Sequence, residues 1–132
     1  MTMLVTRETD YAIRTILYLA KERGHIVSAT KIARAIHIPR SFLSKILQRL
    51  VRSRILTSLR GVNGGFRLAR TPSRISLLSI MEAVQGLTCI NACAIDSTAC
   101  KLSRTCTVHS VWVKMRTEME RRLQKETVAK LM

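Results

Sequence analysis

From Arg23 to Met81 the chain carries no aspartate or glutamate, although twelve lysines and arginines fall in that span. Over all 132 residues, 23 basic side chains stand against 8 acidic ones, a formal net charge of +15. A folded surface of that kind repels itself unless a polyanion neutralises it, and nucleic-acid phosphate is the chemistry that fits. An anionic membrane fits less well, because no basic amphipathic helix with an exposed aromatic face stands out. Aromatics are scarce, at 4%. Tyr11, Tyr18 and Phe42 are scattered and read as core, so no base-stacking platform for single-stranded RNA is expected. No apolar run approaches the roughly 18 residues of a membrane span. The opening "MTMLVTRETD" has no apolar run behind its first charges, which speaks against a secretory signal. A cytoplasmic location follows as the expectation. Also missing are G-x-S-x-G, H-E-x-x-H, a phosphate loop and paired carboxylates near a histidine, so no enzyme and no small-molecule substrate are expected.

What is present is a succession of helical patterns. In "RETDYAIRTILYLAKERG", Tyr11, Ile13, Ile16, Leu17, Leu19 and Ala20 make a broad apolar helical face, with Thr6 or Thr9 as cap and Gly24 as stop. "SATKIARAIHI" reads as a short helix capped by Ser28. Pro39 suits the start of a third, "PRSFLSKILQRLVRSRI", whose outer face holds Arg40, Ser41, Ser44, Lys45, Gln48, Arg49 and Arg52. Two short helices on a tight connection, the second basic outside, fit a helix-turn-helix. Then "ILTSLRGVNGGFRLAR" reads as strand, glycine-rich turn and strand. A hairpin directly after a recognition helix is the wing of a winged helix.

Side-chain chemistry divides the expected DNA contacts. Arg40, Ser41, Ser44, Lys45 and Gln48 suit base edges in the major groove. Arg60, with Arg67, Asn63, Gly64 and Gly65, forms a wing able to approach a phosphate or the minor groove. Lys31, Arg34, Arg49 and Arg52 suit phosphate contacts. The partner is therefore double-stranded DNA.

Beyond Pro72, "RISLLSIMEAVQGL" reads as an extended lead-in and a short helix ending near Gly86. Cys93, Cys100, Cys106 and His109 follow at spacing C-x6-C-x5-C-x2-H. In a cytoplasmic chain such a set reads as metal or redox chemistry rather than structural disulfides. Zinc accepts three thiolates and an imidazole, but structural zinc sites favour C-x2-C knuckles, which are absent. Gaps of five and six residues suit a larger iron–sulfur cluster ligated from several directions. A metal-free thiol switch is the third use of the same residues. Cys89, four before Cys93, reads as a small buried residue. After the loop, Val108, Trp112, Met115, Met119 and Leu123 step by four, three, four and four, an apolar seam near coiled-coil spacing and suited to a homodimer. A two-fold dimer reads a palindromic operator.

"LVTRETDYAIRTILYLA", "IARAIHIPRSFLSKILQRLVRSRIL", "SLRGVNGGFRLAR" and "ISLLSIMEAVQG", with the three-cysteine loop and the "VW" after it, resemble the iron–sulfur-sensing, IscR/NsrR-like winged-helix transcriptional regulators. The resemblance covers nearly the whole chain. It implies a homodimeric transcription factor whose operator binding is controlled by a cluster on Cys93, Cys100 and Cys106. It offers two fourth ligands: His109, as in 2Fe–2S members, or Asp10 from the partner subunit, as in 4Fe–4S members. The cluster is expected as 2Fe–2S ahead of 4Fe–4S, although the gap between Cys93 and Cys100 is one residue longer than the commonest family spacing. The expected fold is mainly α with a small β-hairpin wing: a winged helix-turn-helix over 1–86, a cysteine-rich loop over 87–109 and a dimerisation helix over 110–132.

Overall fold

The computed structural model describes residue 1, residues 3–86 and residues 89–132. Helix α1 runs Arg7–Lys21; the Thr6 hydroxyl accepts from the Thr9 N–H at its start, and Glu8 and Asp10 in its first turn complement the helix dipole. Helix α2, Ala29–Ile36, is capped by Ser28 in the same way. It ends on His37, whose φ of 57° turns the chain sharply into α3, Arg40–Arg52. Strands β1, Leu56–Leu59, and β2, Gly65–Leu68, pair antiparallel with Leu56 opposite Leu68 and Leu59 opposite Gly65. Helix α4, Leu77–Gln85, begins in a capping box between Ser76 and Ser79 and ends at Gly86. Two single 3-10 turns, Ala92–Ala94 and Ser97–Ala99, shape the cysteine loop before α5, His109–Lys125. The chain closes with α6, Val128–Leu131. This is the mainly helical winged-helix architecture expected, and no described helix is long and apolar enough to cross a membrane.

One aliphatic core joins these elements. Ile16 and Leu19 of α1, Ile32 of α2, Leu43, Ile46, Leu47 and Leu50 of α3, Ile55 and Leu56 at the wing base, Ile75, and Ile80 of α4 are essentially inaccessible to water. The buried face of α1 also takes in Thr9 and Thr15, which periodicity of apolar residues alone does not find. Thr15 meets its own need by donating to the Tyr11 carbonyl at 2.8 Å. Phe42, expected in the core, is 39% exposed and stands edge-on to Tyr11.

An extra pairing helps fasten the wing to the body. Val27 and Phe66 exchange backbone hydrogen bonds of 2.9 and 2.8 Å, laying the 27–28 backbone against Gly65. Any Cβ at Gly65 collides with the Val27 carbonyl. The glycine is therefore required by close approach of two backbones.

The segment expected to be a dimerisation helix, 110–132, contains α5 and then a return of the chain to the core. Leu77 donates to the Glu126 carbonyl and Val128 to the Ile75 carbonyl, and Ser76 pairs with Thr127. Val128 is 1% exposed and packs in the winged-helix core.

Two substitutions test this packing by urea denaturation. Val128→Ala is expected to cost about 2 kcal/mol, the loss of two buried methyl groups plus a small cavity. Unchanged stability would mean that the C-terminal turn is not part of the core. Gly65→Ala is expected to cost about 1–3 kcal/mol through overpacking, while the midpoint of a Gly65→Ala chain equal to the parent would discount the close approach to Val27.

Candidate DNA interface and cysteine loop

The amphipathic pattern of α3 buries Leu43, Ile46, Leu47 and Leu50 and so turns the intervening polar residues outward. Arg40, Ser41, Lys45 and Gln48 are exposed. Ser44 is half-buried and its hydroxyl donates to the Arg40 carbonyl at 3.0 Å, which engages its proton within the helix. At the wing Arg60, Asn63 and Arg67 are exposed, Gly64 is half-buried, and Gly65 is buried. A Cβ at Gly64 would meet the Leu59 carbonyl, so this pair of glycines shapes the hairpin.

Two features of this face are not readable as patterns. Val62, at the wing tip, is fully exposed, an apolar side chain with nothing of its own chain to cover it. Thr30, Arg34, His37 and Arg40 line a cleft of about 430 Å³ at the turn between α2 and α3. His37 is exposed, and its left-handed backbone brings it to this cleft. Arg49, expected at a phosphate or free, donates to the Val84 carbonyl at 3.0 Å and so ties α3 to the end of α4. No acidic side chain lies between Arg23 and Met81 to oppose the field of this surface.

The cysteine loop folds over the first half of α5. Cys93 is buried on the first 3-10 turn. Next to it the Ala94 carbonyl accepts from Arg116 Nη1 at 2.9 Å, and Arg116 also pairs with Glu120. Cys100 and Cys106 are exposed, Cys89 is half-buried, and all four cysteines are free thiols. His109 is the first residue of α5, and its Nδ1 is buried without a hydrogen-bond partner. Cys100 and His109 line one cavity of about 400 Å³. Among the described residues no three histidine, cysteine or acidic side chains stand together as a ready metal cage. The donor chemistry therefore suits a thiolate–imidazole site, with one orphaned nitrogen in place, but the four donors are not gathered. Asp10 lies elsewhere on the chain, paired with Arg14 at 2.9 Å, in a shallow pocket with Met3, Val5, Thr6 and Arg7.

The seam on α5 divides. Trp112, Met119 and Leu123 are half-covered by their own chain, while Val108 and Met115 are exposed, together with Val111 and Val113. No residue of this 17-residue helix is fully buried.

Residues 5–132 match the family model of Rrf2, described as an iron-dependent transcriptional regulator. The protein aau3 of Rhizobium meliloti is 35% identical over 108 residues, covering 79% of this chain and 68% of its own. A protein of Aquifex aeolicus named as an HTH-type transcriptional regulator is 28% identical over 120 residues, covering 89% of this chain and 83% of its own. In fold, the chain is similar to CymR, the global cysteine regulator of B. subtilis, with a TM-score of 0.77, 20% identity and coverage of 99% and 96%. It is likewise similar to T. potens IscR, with a TM-score of 0.74, 24% identity and coverage of 96% and 84%. With a basic winged helix and a family match over nearly its full length, this chain belongs to the Rrf2 family of DNA-binding transcriptional regulators, whose members are not enzymes.

Proposed function

We propose that the chain works as a homodimer that reads a palindromic operator in double-stranded DNA, under control of an iron–sulfur cluster on Cys93, Cys100 and Cys106. Arg40, Ser41, Lys45 and Gln48 face base edges, Ser44 sits beside them, and Arg60, Asn63 and Arg67 carry the wing, shaped by Gly64 and Gly65. The exposed apolar side chains Val108 and Met115, with Trp112, Met119 and Leu123 behind them, support α5 as the dimer helix. The observation that carries the cluster reading is the buried, unpartnered Nδ1 of His109 in the same cavity wall as Cys100. It favours His109 over the partner subunit's Asp10 as fourth ligand, and hence 2Fe–2S. When bound, a cluster supplies one-electron redox chemistry and sensitivity to oxidants. The loop residues would hold it, and Arg116 fastens that loop to α5 at Ala94. Through contacts that differ between DNA-competent and incompetent arrangements, the loop would couple its ligand occupancy to that equilibrium. The protein works with its DNA in the cytoplasm.

A metal-free thiol switch is the second reading. It is favoured by the four free thiols and by the exposure of Cys100 and Cys106.

Anaerobic purification followed by iron, sulfide and zinc analysis separates the two. Matched iron and acid-labile sulfide are expected, with a visible spectrum altered by His109→Ala and unaltered by Asp10→Ala. A colourless chain that takes up no iron or sulfide on reconstitution would favour the thiol switch, and stoichiometric zinc would rule out both. On operator DNA, Arg40→Ala is expected to lose about 1–3 kcal/mol confined to one base position. Arg34→Ala is expected to weaken binding evenly across sequences and lower the salt slope by about 1. Equal, sequence-independent losses for both in anisotropy titrations would refute α3 as the base-reading face.

A further inference from the structure

The cavity beside Cys100 has a wall that thiolate ligation alone does not require. Besides Cys100 it is lined by Ser97, Thr98, Lys101, Ser103, Arg104 and His109, around about 400 Å³. No carboxylate is in that wall. Among the described residues the ion pairs belong to Arg14, Arg116 and Arg122, so neither Lys101 nor Arg104 is neutralised by one. The acidic residue nearest in sequence, Asp96, is turned into its own loop. It accepts from the Thr98 hydroxyl at 2.6 Å and the Thr98 N–H at 2.9 Å, and these bonds hold its carboxyl below the usual range.

Two polar atoms of wall residues, Ser103 Oγ and His109 Nδ1, are buried with no hydrogen-bond partner. Each buried polar group left unmade costs free energy comparable to a lost hydrogen bond, and these two lie just beneath the wall, where a small shift towards a bound ligand would give them a partner. Helix α5 also begins at His109 with no side chain capping its first turn, which adds the positive end of its dipole. Two cations, hydroxyl donors and an imidazole, with no carboxylate among them, complement a ligand that is anionic and accepts hydrogen bonds.

We infer that this cavity binds a small oxyanion of the phosphate or sulfate type, either free or as the head group of a small metabolite. Lys101 and Arg104 supply the charge and Ser97 and Ser103 the hydroxyl donors. The site does not depend on the cluster. It shares Cys100 and His109 with the proposed ligand set, so anion and cluster compete for the same wall.

Trp112, the single tryptophan, stands three residues beyond His109 on α5 and reports occupancy. The full chain, freed of iron, is titrated with phosphate, sulfate and glycerol phosphate at constant ionic strength, with chloride as control. A saturable fluorescence change with the oxyanions and none with chloride is expected. Lys101→Gln with Arg104→Gln is expected to weaken it at least about tenfold. Ser103→Ala, which removes one hydroxyl, weakens it less and keeps the test readable if the double variant misfolds. Lys21→Gln, at the end of α1, leaves it unchanged. Tighter binding of glycerol phosphate points to a metabolite head group, and equal binding to the free ion. No saturation, an equal response to chloride, or unchanged affinity in both Ser103→Ala and the double charge variant would overturn the site. A chain that binds phosphate yet never takes up iron and sulfide would keep this inference while losing the cluster, and the reverse result would do the opposite.

Discussion

The last turn of α4 is held from two sides, and the working parts of the molecule meet there. From one side Arg49 of the recognition helix donates to the Val84 carbonyl. From the other, the Gln85 carboxamide accepts from the Thr6 N–H at 3.2 Å and the Thr9 hydroxyl at 2.7 Å and donates to the Leu4 carbonyl at 2.8 Å. Thr9 is fully buried, so its hydroxyl needs this partner. The start of α1, the end of the recognition helix and the entrance to the cysteine loop thus converge on two consecutive residues. Helical propensity supplies none of this; it is made by side chains reaching across |i−j| gaps of 35 to 81 residues.

The same frame explains how so basic a chain folds. Twelve cations without a carboxylate between Arg23 and Met81 repel one another, yet they are spread over the outer faces of α2, α3 and the wing and over the turns that join them. The aliphatic layer beneath them is continuous from Ile16 to Val128. Hydrophobic burial is indifferent to surface charge sign and carries the fold; the uncompensated field remains available to a polyanion. Some cations have a structural use as well. Arg70 donates to the Ser53 and Arg54 carbonyls, satisfying acceptors at the end of α3.

Much of this was legible in the residues. Caps at Thr6 and Ser28, a proline before α3 and glycines in the wing are local signals, and the helices and hairpin stand where those signals put them. The outward face of α3 followed from period alone. What period cannot reveal is long-range. Arg49 read as a surface cation because its acceptor lies on another helix. Thr9 and Thr15 read as polar positions because burial of a satisfied hydroxyl leaves no apolar trace. Phe42 read as core because hydrophobic type does not say which edge of a face is covered. At the cysteine loop the spacing identified donors but not their arrangement, since an irregular loop has no period to extrapolate. The orphaned nitrogen of His109 and the basic wall around it could be seen only in three dimensions.

The return of the C-terminus has a mechanical meaning. Halfway along, α5 is fastened to the cysteine loop by Arg116, and three residues past its far end Val128 anchors the chain in the hydrophobic body. A rod held at its middle and its far end has little slack. The C-terminal half of α5 is thus a strut between the cysteine loop and the body that carries α3, rather than a free tail.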